Sequence, residues 1–136
     1  MSAVAAFAKF SKGVMRMPVH WRLWQMLLLV ANLIVPILFL DRLESQMVLG
    51  AVVVAAGLMT LLTALAGFTR LLGLGHLPWV PLVYFLWTRL DQIPANDLFG
   101  LWIRILMVLN CLSLAIDTVD TIRYIAGERE ETVKGL

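Results

Sequence analysis

The chain has 136 residues, 61% hydrophobic and 15% charged, with a formal net charge of +2 and a mean hydropathy of +0.88. A soluble domain carries roughly 45–50% apolar and about 25% charged residues, so this composition excludes an ordinary soluble fold, and its long apolar runs are of the kind that span membranes. Four spans of about 20 residues consume most of such a chain, which leaves no room for a large transporter or a soluble catalytic domain.

Residues 2–17 place Phe7, Phe10, Val14 and Met17 at helical spacing, with Lys9, Lys12 and Arg16 on another face. This pattern predicts an N-terminal amphipathic helix lying in the membrane interface. Pro18 ends it and lets the chain turn into the bilayer. The first predicted span is 23–40, interrupted only by Gln25 and Asn32 among polar residues, with Pro36 as a kink site. The second, 47–68, is uncharged and rich in small residues. Gly50, Gly57 and Ala64 recur every seven residues, with Thr60 and Gly67 close to the same stripe, which predicts a face where another helix backbone approaches closely.

The third run, 71–90, carries Gly73, Gly75, His76, Pro78 and Pro81 in its first half, so a straight helix is not expected there. The reading adopted is a full crossing with a loosened stretch from Gly73 to Pro78, buried in protein; the alternative is a re-entrant segment. Trp79 and Trp87 would stand only about 12 Å apart along a helix, so they cannot mark both interfaces and one must lie deeper. The fourth run, 98–125, is the longest and carries Arg104, Asn110, Ser113, Asp117, Asp120 and Arg123. Residues 127–136 read as a short charged tail in solvent. The fold class expected is thus an all-α integral membrane protein, a four-transmembrane-helix bundle with an N-terminal amphipathic interfacial helix, forming a single membrane domain over 1–136.

With four crossings, Lys9, Lys12, Arg16, Arg22, Arg70, Arg123, Arg129 and Lys134 share one side and only Arg42 and Arg89 the other, eight cations against two. The excess of Lys and Arg marks the cytoplasmic side, which predicts both termini inside and a multi-pass protein of a bacterial inner membrane. Trp21, Trp24 and Tyr124 then belong to the inner interface, and Trp87 and Trp102 to the outer one.

Asn32 and Asn110 both fall near the middle of their spans, where an unpaired amide is costly, so the two are expected to bond each other. Asn110, Ser113, Asp117 and Thr121 form one polar stripe on the fourth helix, with Asp120 beside it. The stripe serves either as a polar path, with Asp117 handling a proton or cation, or as a helix-packing contact, with Asp117 about 6 Å inside the bilayer edge and either paired with a nearby cation such as Arg70 or Arg123 or reached by water. Arg104 should snorkel outward or pair with Glu44, Asp91 or Asp97. His20 and His76 are the only imidazoles and so the candidate metal ligands, though they lack the usual ligand spacing. The single cysteine, Cys111, allows neither an intramolecular disulfide nor a Cys-based metal set. No P-loop, GxSxG, HExxH or Cys–His pair is present, so no catalytic residue and no cofactor is assigned. The basic residues flank apolar segments instead of forming a nucleic-acid surface. The expected function is a non-catalytic subunit, scaffold or assembly partner of a membrane complex, in contact with lipid and with other membrane subunits or further copies of itself. The alternative is a small oligomeric transporter or channel with a polar path along the fourth helix.

Overall fold

A computed structural model describes all 136 residues and contains helices and turns only. The N-terminal helix α1 runs Ala3–Met15, its free first-turn amides capped where Ser2 Oγ accepts from Ala5 N at 3.1 Å. Pro18 breaks it, and α2 follows over Val19–Ile37, then α3 over Leu43–Ala66. A tight 3₁₀ segment, Arg70–His76, leads into α4 at Trp79–Arg89, and α5 runs Leu98–Ile125. Asp97 caps α5 by accepting from Gly100 N at 2.7 Å.

Four stretches are long and apolar enough to cross a membrane: Val19–Ile37, Leu43–Ala66, Arg70–Gln92 and Leu98–Ile125. The fourth helix has the expected bounds. The first begins four residues before position 23 and stops at Ile37, because the chain turns beyond the proline, with Phe39 N bonded to Pro36 O at 3.1 Å. The second begins at Leu43, taking in Glu44, which Arg89 neutralises at 2.9 Å. Only 27 of 136 residues are buried, and large apolar side chains such as Leu38, Leu65, Tyr84, Trp87 and Leu98 face outward. Such a surface is suited to lipid or partner protein and not to water.

The core lies where α2, α4 and α5 meet α3, and joins Leu28, Ala31, Val48, Trp79, Leu82 and Leu86 to Phe99, Trp102, Ile103 and Leu106. Phe39 stacks on Trp102 at 5.7 Å and meets Phe99 edge-on at 5.3 Å. Pro36 shapes this region through the hydrogen bond it cannot make. Val30–Ile34 forms a π turn in which Val35 N bonds to Val30 O, so the next bond in register, to Ala31 O, falls to the proline nitrogen, which has no hydrogen. Trp102 Nε1 takes up that carbonyl at 3.0 Å. Trp102 is therefore a buried core residue, not the interfacial belt residue that its place near a helix end suggested.

Arg104 follows only one of its two expected courses, reaching back toward the end of the bundle where α5 begins. It pairs with no carboxylate, and donates to Ile93 O at 2.8 Å, Gly100 O at 3.0 Å and Leu90 O at 3.4 Å. The Ile93 carbonyl in the turn after α4 has no backbone donor, and the guanidinium satisfies it while also reaching the Leu90 carbonyl, which already accepts from Ile93 N.

The small-residue stripe of α3 points away from the bundle. No atom lies within 4 Å of where a Cβ would stand at Gly50 or Gly57, and Ala64 is exposed. The face α3 turns inward is Ser45, Val48, Ala55 and Thr63. Val48 and Ala55 precede Gly50 and Gly57 by two residues, about 200° around a helix, so the expected close packing does not occur within the chain. Thr60 bonds to its own helix at Ala56 O, 2.8 Å away, and Gly67 ends α3 at φ +79° and ψ −172°, a positive-φ extended conformation that glycine adopts without strain.

The C-terminal tail is docked, which corrects the solvated tail expected from its charge. Glu131 accepts from Lys9 Nζ at 3.1 Å and from Phe68 N at 3.2 Å, Thr132 N bonds to Phe68 O at 2.9 Å, and Arg16 donates to Gly135 O at 3.0 Å. These contacts hold both termini at one end of the bundle and fasten α1 along α3, with the Phe68 ring packed over Gly13.

Candidate functional site

The polar stripe of α5 meets the 3₁₀ segment at the end of the bundle that carries the termini. Gly73 makes that approach possible, because a Cβ there would stand 2.6 Å from the Asp117 carbonyl oxygen. With the backbones this close, the segment delivers its first residue, Arg70, to Asp120 and its last, His76, to Asp117. Arg70 Nη1 lies 2.7 Å from Asp120 Oδ1 and its Nε 3.8 Å from Glu128. His76 Nδ1 lies 2.6 Å from Asp117 Oδ2, and donates when the carboxylate is ionised. The imidazole stacks on Trp79, ring centroids 4.0 Å apart and planes 8° from parallel.

Asp117 thus finds a histidine where an arginine was expected, because Arg70 is taken by Asp120 and Arg123 by Glu128. Outside the membrane-length helices, Arg123 and Arg70 hold Glu128 below the usual carboxylate range. Lys9 and the Phe68 amide do the same for Glu131. Thr121 reaches the same junction, its Oγ1 3.0 Å from the position of a Gly73 Cβ, and Ser113 is buried one helical turn from Asp117.

Deeper along the stripe, Asn32 and Asn110 form a reciprocal amide pair. Asn32 Nδ2 donates to Asn110 Oδ1 at 2.9 Å and Asn110 Nδ2 to Asn32 Oδ1 at 3.0 Å, with both residues wholly buried. Asn32 Nδ2 also donates to Leu28 O at 3.0 Å. The stripe ends at this pair. Beyond it stand Leu106, Ile103 and Trp102 of the apolar core.

Around the His76–Asp117 pair lies a cavity of about 320 Å³ whose lining includes Arg70, Ser113, Asp117, Asp120 and Arg123 together with Trp21, Trp24 and Gln25 of α2 and Phe10 and Val14 of α1. An apolar groove of about 400 Å³ adjoins it between α1, α2 and α3 and shares Phe10, Val14, Gln25, Met59 and His76. Of the two metal candidates, only His76 belongs to this site. His20 is exposed against Trp21, ring centroids 5.3 Å apart, and no three His, Cys, Asp or Glu side chains come together to hold an ion.

Trp79 and the α1 wall of the cavity were not singled out from the sequence as site elements, and Arg70 entered only as an expected partner of Asp117. Arg70 looked like a flanking cation within reach of Asp117, Trp79 one of two tryptophans that could not both mark an interface, and α1 a separate surface helix. Their common signal is the Gly- and Pro-rich stretch 73–81, which marks the place where backbones approach closely. Comparison with protein-family models, curated proteins and solved structures finds no match to this chain.

Proposed function

We propose that the chain is a non-catalytic, multi-pass subunit or scaffold of a membrane complex, with both termini on the cytoplasmic side of a bacterial inner membrane. The observation that carries this reading is the open Gly50, Gly57 and Ala64 face of α3, which has no partner within the chain. In lipid, helices associate by close packing at such surfaces, since the hydrophobic effect gives no preference between a tail and a leucine. A helix of another subunit or of a second copy is the natural occupant. The hydrogen bonds between the N-terminal helix, its following turn and the C-terminal tail support an even number of crossings, and hence a full third crossing over a re-entrant segment. The eight-to-two cation asymmetry supports the inward orientation.

A through-going transport path draws no support from the single chain, because the polar stripe closes on the Asn32–Asn110 pair and the apolar core beyond it. The test is Gly57→Leu, examined by native mass spectrometry after mild solubilisation. Because nothing in the chain lies within 4 Å of this position, the variant should keep the wild-type unfolding midpoint and lose its associated subunit or second copy. An unchanged assembly would refute the role of this face.

A further inference from the structure

We propose that the end of the bundle carrying both termini binds the net-negative head group of an acidic phospholipid, at a cluster of cations formed by Lys12, Arg16, Arg22 and Lys134. Two hydrogen bonds bring these residues together. Arg22 Nη1 donates to Met15 O at 3.0 Å, which sets its guanidinium against the peptide joining Met15 to Arg16, and Arg16 Nη1 donates to Gly135 O at 3.0 Å, beside Lys134. Lys12 stands one helical turn before Arg16, at the end of α1. No carboxylate oxygen lies within 4.0 Å of any of these cationic groups. In the tail, Glu131 goes to Lys9 and Glu128 to Arg123 and Arg70, and Glu130 forms no ion pair. A backbone carbonyl fixes a guanidinium in place without neutralising its charge, so like charges stand together at one turn, and an anion bound among them offsets their repulsion.

The neighbours of these cations select a lipid over a soluble anion. Lys12, Met15 and Arg16 follow i, i+3, i+4 spacing at the end of α1, and Val19, Arg22 and Leu23 follow the same spacing at the start of α2, so each helix presents cations and apolar side chains on one face. Met15, Val19 and Leu23 are each more than half exposed. A nucleic acid or an acidic peptide would leave these side chains in water, whereas a phospholipid sets its phosphate among the cations and its hydrocarbon against their apolar neighbours. The cluster adjoins the first membrane-length stretch, which begins at Val19, and about four basic residues beside such a helix suffice to attract acidic lipid. This site depends on the chain lying in a bilayer and not on the α3 face, so a lipid titration and the Gly57→Leu assembly measurement fail separately.

The test is native mass spectrometry of the full chain in detergent micelles, titrated with dioleoyl phosphatidylglycerol or with dioleoyl phosphatidylcholine, which carry the same hydrocarbon on different head groups. Phosphatidylglycerol should bind at least about tenfold more tightly. Lys12 and Lys134 are exposed and hold no ion pair, so replacing both by glutamine leaves the fold intact and, at about fivefold per cation, should weaken phosphatidylglycerol binding about 25-fold. Arg16→Gln combined with Arg22→Gln should weaken it at least as much; if that variant does not fold, the lysine variant decides alone. Arg42→Gln removes an exposed cation at the opposite end of the bundle and should bind as wild type. Equal affinity for the two lipids, wild-type affinity in the lysine variant, an equal loss in Arg42→Gln, or displacement of the lipid by equimolar glycerol phosphate, which carries the charge without the chains, would each overturn the proposal.

Discussion

Replacing Asn110 by valine, an apolar residue with no side-chain hydrogen-bonding group, tests what the buried amide pair contributes. The substitution leaves Asn32 wholly buried with Oδ1 unpaired and only one of its two amide hydrogens bonded, to Leu28 O at 3.0 Å. Each orphaned group costs about 1–3 kcal/mol in a protein interior, whereas polar contacts between membrane helices average about 0.6 and reach about 1.7 kcal/mol, because the unfolded helices find other partners. The expected loss for Asn110→Val is therefore about 1–3 kcal/mol, and Asn32→Val should lose a similar amount. The double variant removes both amides and leaves nothing stranded, so it should lie closer to wild type than the sum of the singles, with a coupling of about 1–2 kcal/mol. Reversible unfolding in mixed dodecylmaltoside and dodecyl sulfate micelles, followed by circular dichroism, gives all four corners of the cycle. Strictly additive losses, or silent single variants, would refute the argument that the two amides act as a unit.

Gly73→Ala puts a Cβ 2.6 Å from the Asp117 carbonyl, so the 3₁₀ segment must move off α5, with an expected loss of about 1–3 kcal/mol in the same unfolding assay. Asp117→Asn should destabilise more than Asp120→Asn, because Asp117 is the less exposed of the two, with side-chain exposures of 15% and 32%, and its partner His76 is buried; the reverse order in paired unfolding midpoints would contradict this. Lys9 and the Phe68 amide hold the Glu131 pKa below that of the unfolded chain, so the tail contact is fully present above the ordinary glutamate range and is lost as pH falls through the lowered value. The Phe68 amide resonance should report that transition, and Glu131→Gln should remove it.

The helices themselves were legible in the sequence. Runs of apolar residues at membrane length, a proline at position 18 and an asparagine in each of two span centres depend on composition and local sterics, which act before any tertiary contact forms. The Asn32–Asn110 pair was legible for a related reason: a buried amide needs a partner, and few polar groups stood at that depth. Which way α3 faces was not legible, because a helix apolar on every side has no polar stripe to orient it; packing at Val48 and Ala55 decided that its glycines point outward. The His76–Asp117 pair joins residues 41 apart, and the docked tail joins Glu131 to Lys9 across 122 positions. Neither has a local pattern. Both exist because the three-dimensional path of the chain, with Gly73 letting one backbone lie against another, brings together charges that sequence spacing alone leaves unassigned.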